Sequence, residues 1–353
     1  MIGSENDVFA LDQPVRVIDR LQVRPGRCQE VIALFDQIYR PLAEQRGLEW
    51  VDCWIAPPFE REQTGAELVI HWQYPSLGAL WAARGVEDTD SRLVHFWRDR
   101  LAPLLISRTR QLGRSGPLQA IPPSGPAPAL PASYRGTRNI LFLRPDGTVP
   151  ASEQPSWLDA LQRLAGTEGI RACDAGFNAG SYTGRDGEIT VDLLLEDGAA
   201  VPDRMILASL PGPAVIDEVV APALPIAWGH EPRALTDGVK RTILLKVRDD
   251  ASPEEIATLE QALIEWAQQL PEMACWSLSR VAATTGSVPW SHCYEQEFTV
   301  ASAVLGSYLN HPFHWAVVDR YFHPEAHQQA ADRFFHSVRA AAKSLLVPIL
   351  GGD

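Results

Sequence analysis

Two imidazoles and a phenol fall within seven residues in the stretch Tyr308-Leu309-Asn310-His311-Pro312-Phe313-His314, with Trp315 next in the chain. Neutral imidazole titrates near pH 6.5, so a histidine at an apolar pocket can take and return a proton at working pH, a contribution of about 10²–10⁴ in rate. His314 is the candidate base and Tyr308 the candidate donor to a developing enolate oxygen. His311 and Trp315 are candidate substrate-binding residues, and Arg241 is a candidate partner for an anionic group. The same pattern has a second reading: His-Pro-x-His can end a helix, its rings satisfied by backbone carbonyls. Residue type and spacing leave both open, because catalysis depends on geometry.

Six of the nine histidines lie between His292 and His336, and His323 and His327 are one helical turn apart. Their segment reads His-Pro-Glu-Ala-His, not His-Glu-x-x-His, and no third ligand stands at a recognisable spacing, so no metal is expected. Cys293 follows His292, but neighbours on a strand point to opposite faces, which excludes a thiol–imidazole pair. The five cysteines contain no C-x-x-C pair and read as buried thiols. Gly176, Gly180, Gly184 and Gly187 match neither the dinucleotide nor the phosphate-loop pattern and read as a hairpin loop.

A formal net charge of -13 gives no basic footprint for nucleic acid and disfavours anionic lipid. Residues 1–14 lack the basic start and apolar core of a signal peptide, and no uncharged apolar run approaches the ~18 residues that span a bilayer. With an odd number of cysteines, the expected setting is reduced and cytoplasmic.

The elements that must position these residues recur three times. Residues 115–133 are too rich in proline for helix or central strand and read as a linker. Around it, β-rich runs at 15–23, 137–144 and 239–247 each precede an amphipathic helix. Val31, Leu34, Phe35, Ile38 and Leu42 make the first helical stripe. In the third, Ser252-Pro253-Glu254-Glu255 forms a capping box ahead of Ile256, Leu259, Leu263, Ala267 and Leu270. Two strands follow each helix: 48–56 and 66–74, 170–178 and 188–195, 273–282 and 292–300. Further helices are expected at 90–105 and 326–346. The order β-α-β-β-α-β predicts an α+β protein of three tandem ferredoxin-like units, at 1–114, 134–236 and 237–353. Two such sheets pack face to face as a barrel, so a third calls for a mate from a second chain, and a homodimer is expected.

The third unit, with its first strand 239–247 and the Tyr308 to His314 motif, resembles the stress-responsive dimeric α/β-barrel family. The first unit, with Pro25-Gly26 and Trp50, Trp54, Trp72 and Trp81, looks more loosely like NIPSNAP proteins and antibiotic-biosynthesis monooxygenases. The resemblance implies a dimeric α/β-barrel fold. It includes the plant olivetolic acid cyclase, which closes a polyketide by cofactor-free aldol chemistry. That likeness would carry the catalytic histidine onto His314, the catalytic tyrosine onto Tyr308, a further pocket histidine onto His311 and a first-strand histidine onto Arg241.

The expected function is a cofactor-independent enzyme using histidine acid–base chemistry on a small hydrophobic carbonyl or phenolic compound: aldol-type cyclisation, retro-aldol cleavage or elimination. The alternatives are a non-catalytic stress-response or ligand-binding protein, and a monooxygenase or haem-dependent lyase of the same superfamily.

Overall fold

The computed structural model describes residues 12–59, 63–87, 90–116, 121, 125, 137–179, 187–230, 235, 238–341, 344 and 346. Most of the proline-rich stretch and the centre of the glycine-containing loop lie outside them.

Three four-stranded antiparallel sheets repeat one strand order. In the first, β1 (Val15–Val23), β2 (Glu49–Ala56), β3 (Ala66–Tyr74) and β4 (Leu105–Gly113) lie as β2-β3-β1-β4. In the second, β5 (Thr137–Pro145), β6 (Ile170–Phe177), β7 (Ile189–Leu195) and β8 (Ala214–His230) lie as β6-β7-β5-β8. In the third, β9 (Gly238–Val247), β10 (Met273–Thr284), β11 (His292–Phe298) and β12 (Ala331–Ala341) lie as β10-β11-β9-β12. The fold is α+β, built from three ferredoxin-like sheets.

The second and third sheets are continuous. β8 pairs with β10, making eight strands, and Asn178 beyond β6 bridges to Arg339 on β12. The Ala179 N–H donates to Val338 O at 2.8 Å, which closes the sheet into a barrel. Strands β7 and β11 are buried throughout, as strands covered on both faces must be. One face of β7 (Ile189, Val191, Leu193, Leu195) packs on Trp157 and Leu161 of α5 (Gln154–Gln162) and on Ile206 of α6 (Asp203–Ser209). The other face looks into the barrel.

Inside, six strands each contribute one charged side chain to a linked network. Lys240 Nζ lies 2.8 Å from both Asp192 Oδ1 and Glu295 Oε1, and Arg138 pairs with Glu295 through both terminal nitrogens. Arg339 reaches Asp192 at 2.5 Å and Asp174 at 2.7 Å. Three cations thus meet three carboxylates, all buried. Burial would raise the Asp192 carboxyl, but Lys240, Arg339 and Arg138 together hold it well below the usual range. Glu297, on the same face of β11, is not so held: burial pushes it up, against the weaker pull of Lys240.

Contacts divide the chain into two compact units, residues 1–121 with 307–332, and residues 122–306 with 333–353. The first unit contains the first sheet. Its core is aromatic, with Phe35, Tyr39, Trp72, Phe96 and Trp97 buried together and Trp315 among them. Helix α1 (Cys28–Leu34) runs through a π-helical turn (Phe35–Tyr39) into α2 (Arg40–Gln45). The wider turn shifts the helical phase, so the buried set is Val31, Phe35, Tyr39 and Ala43, while Ile38 and Leu42 from the expected stripe are only partly buried. Of residues 90–105, read as helix, 91–104 are helical, through α4 (Ser91–Val94), a π-helical stretch (His95–Leu101) and a final 3-10 turn (Ala102–Leu104), following α3 (Leu77–Glu87).

The opposite face of the first sheet is open. Alternate residues of β1 (Val15, Val17, Asp19, Leu21, Val23) point to the core, and Arg16, Ile18 and Arg20 point out. Trp54 on β2 is 68% exposed and Ile106 on β4 is 63% exposed. His71 Nδ1 lies 2.5 Å from Asp52 Oδ1 on this face, beside Arg16 and Ile18.

α7 (Pro253–Ala267) begins with the expected capping box: Ser252 Oγ accepts from Glu255 N–H at 3.2 Å, and Glu255 accepts from Ser252 N–H at 2.7 Å. One expectation fails. Residues 331–341, within the stretch read as helix, form strand β12. Their alanines favour helix, and the edge of β9 together with the Arg339 ion pairs outweighs that preference. Among the described residues, no helix is long and apolar enough to cross a membrane.

Candidate functional site

The Tyr308 to His314 motif sits between two π-helical turns, Val304–Tyr308 and His314–Val318, features that often mark functional positions in helices. Pro312 has no N–H to offer, and the His311 ring takes part of the backbone's place: its Nδ1 accepts from Phe313 N–H at 3.1 Å. His311 therefore fixes the turn, and its other nitrogen carries the proton. His314 N–H donates to His311 O at 2.9 Å, which sets the start of the second turn.

This brings Tyr308 and His314 together. Their ring centroids are 4.6 Å apart, and the indole of Trp81 on α3 lies 5.3 Å from the His314 ring on a tilted plane. Both His314 and Tyr308 are buried, at 9% and 3% exposure. Trp315 turns into the aromatic core, so it packs the site's wall. Arg241 belongs to the other compact unit, where it donates to His336 Nδ1 at 2.8 Å and to Gln296 Oε1 at 3.5 Å.

Further along the same segment are carboxylates that residue spacing did not single out. Asp319 meets Arg84 Nε at 2.9 Å and His323 Nε2 at 2.8 Å. Burial opposes its ionisation, but His323, Arg84 and His314 hold it well below the usual carboxylate range. His314 thus lies in the field of an ionised carboxylate. Glu325 accepts from Tyr39 Oη at 2.6 Å and Arg46 Nη2 at 2.7 Å, and pairs with Arg110. Arg110 also grips Asp19 with Nε and Nη2, each at 2.8 Å, and Trp72 Nε1 donates to the same carboxylate at 3.0 Å. No signal in the sequence joins Asp19, Arg84 and Glu325, which are far apart in the chain. Asp319, five residues after His314, was the one within reach of a motif reading.

The histidine pair at His323 and His327 is parted by its bonding. His323 is engaged with Asp319, and among the described residues no group of three metal-ligating side chains occurs. His292 hydrogen-bonds Glu260 of α7 at 3.1 Å while Cys293 faces the barrel interior, so the two point apart as the strand demands. None of the five cysteines is in a disulfide.

Residues 239–334 match the Stress responsive A/B Barrel Domain. The matched residues run from strands β9 to β11 of the second unit into the segment carrying Tyr308 and His314 in the first. Three solved structures are among those this chain is similar to. A NIPSNAP family protein from Agrobacterium tumefaciens is 18% identical, over 28% of this chain and 90% of that one, with a TM-score of 0.23. An Arabidopsis thaliana protein is 19% identical, over 33% and 98%, with a TM-score of 0.26. An anthrone oxidase-like protein is 10% identical over 60% and 95%, with a TM-score of 0.43. The comparison with curated proteins gives no match.

Proposed function

We propose that the chain is a cofactor-independent enzyme that uses His314 as an acid–base group on a small hydrophobic carbonyl or phenolic compound, in a reduced, cytoplasmic setting. The observation that supports this reading is the imidazole–phenol pair at 4.6 Å inside an aromatic shell, with the Asp319 carboxylate nearby. The neutral imidazole takes a proton from the carbon next to a carbonyl, and Tyr308 donates to the enolate oxygen as charge develops there. The enolate carbon attacks a second carbonyl in aldol closure, and the imidazolium returns its proton to the new alkoxide. Run backwards, the same steps cleave the bond. Asp319 stabilises the imidazolium between the two transfers.

A second reading, a ligand-binding or stress-response protein without turnover, is favoured by how closed the pair is, with Tyr308 only 3% exposed. One experiment separates the two: deuterium exchange at the α-carbon of a small aryl ketone, followed by NMR, beside melting temperatures. For an acid–base group, His314→Ala and His314→Gln both lose about two orders of magnitude or more with the fold intact, and Tyr308→Phe loses less. For a structural histidine, His314→Ala melts early and His314→Gln restores much of the loss.

A further inference from the structure

In the first unit, ionic pairing leaves a surplus. Three buried arginines, Arg46, Arg84 and Arg110, are matched by three carboxylates, Asp19, Asp319 and Glu325. Two more arginines stand beside this network. Arg108 lies over the Trp97 ring at 4.4 Å and, among the described residues, donates to backbone carbonyls, Glu325 O at 3.1 Å and Pro324 O at 3.3 Å. Arg320 donates to Tyr321 Oη at 3.1 Å, and its buried Nε finds no acceptor among the described residues.

The surplus borders a cavity of about 330 Å³, at the lower end of the size range of small-molecule pockets. Arg110, Gln111, Arg320 and His327 give it polar walls, and Leu112 and Ala316 give it an apolar one. Gln328, also on the wall, has a buried Oε1 without a donor, and its amide can turn over to present N–H instead. Burial first, then Arg108 and Arg320, push His327 down to about 4, with Asp19 pulling the other way.

We propose that this cavity binds a small organic carboxylate, held by Arg320 with Gln111, Gln328 and His327 around it. A guanidinium presents paired N–H groups that match a carboxylate's two oxygens. With His327 neutral when the cavity is empty, Arg320 supplies one uncompensated charge to the lining, which suits a monoanion better than a phosphate dianion. The apolar wall suits the hydrocarbon part of an organic acid. The test of this site reads binding alone, so its failure leaves the His314 reading in place, and the reverse.

Calorimetric titration of the full chain at pH 7 with sodium benzoate, benzamide and inorganic phosphate tests the assignment. Benzoate should bind at least about tenfold more tightly than either of the others, and more weakly as salt rises. Arg320→Gln should cost at least about tenfold in benzoate affinity, while the ligand-free melting temperature stays within about 2 °C, as for a partly exposed side chain without an ion pair. Equal binding of benzoate and benzamide, unchanged affinity in Arg320→Gln, or no benzoate binding at millimolar concentration would overturn the site. Tighter binding of phosphate than of benzoate would overturn the carboxylate assignment.

Discussion

Asp192→Asn should be among the most damaging isosteric changes in the second unit. The side chain keeps its shape and loses its charge, leaving Lys240 at 2.8 Å and Arg339 at 2.5 Å around a neutral amide. The network then holds three cations against two carboxylates in a barrel centre closed to water. Removing one partner of a buried pair costs about 3–5 kcal/mol, because the charge left behind is uncompensated. For a unit of about two hundred residues, where 1 kcal/mol shifts the melting temperature by about 2–4 °C, that amounts to roughly 6–20 °C. Calorimetric melting at pH 7 measures it. Adding Lys240→Met restores two cations against two carboxylates, Arg138 with Glu295 and Arg339 with Asp174. The double variant should therefore recover part of the loss, with a coupling of about 1–3 kcal/mol. A shift under about 2 °C in Asp192→Asn, or a double variant no better than the two losses added, would refute the charge-balance argument.

Stability should also fall steeply in acid. Asp192, Asp319 and Glu325 are all held below their ordinary values, so the stability they contribute is complete above the unfolded carboxylate range near pH 4 and is lost as pH drops through the lower folded values; urea midpoints at pH 6, 4 and 3 follow it, and a flat profile would contradict the assignment. The open face of the first sheet should make the chain a homodimer by light scattering at micromolar concentration, and Trp54→Asp, which places a charge in the most exposed part of that face, should give monomers that still melt cooperatively.

Much of the architecture was legible because its signals are local. The runs at 15–23 and 66–74 became β1 and β3 with the same ends, and the Ser252 capping box opened α7 as its residue types require. β12 was not legible: Ala331–Ala341 is strand because β9 offers an edge and Asp174 and Asp192 await Arg339, and neither fact is local. The site divided the same way. Tyr308 and His314 share one short segment, so spacing could bring them together. Trp81 and Asp319 meet that segment only through packing, and Arg241 fell into the other unit because sequence proximity does not fix where residues 307–332 pack.

The ionic network inside the barrel also governs which sheets can share it. Each half supplies the counter-charge of the other: Arg138 from the second sheet meets Glu295 from the third, and Lys240 from the third meets Asp192 from the second. The halves are not equal, since the second sheet brings one cation and two carboxylates, and the third brings two cations and one carboxylate. Two copies of the second sheet would enclose two surplus negative charges, and two copies of the third two surplus positive ones. Only the mixed pair is neutral, so like-with-like closure is rejected by the energy of stranded charge, a discrimination that hydrophobic packing by itself would not make. On the open first sheet, Arg16, His71 and Asp52 occupy the register positions of Arg138, Asp192 and Asp174, and there one cation stands with one carboxylate. That sheet alone of the three can close on a copy of itself without stranding charge.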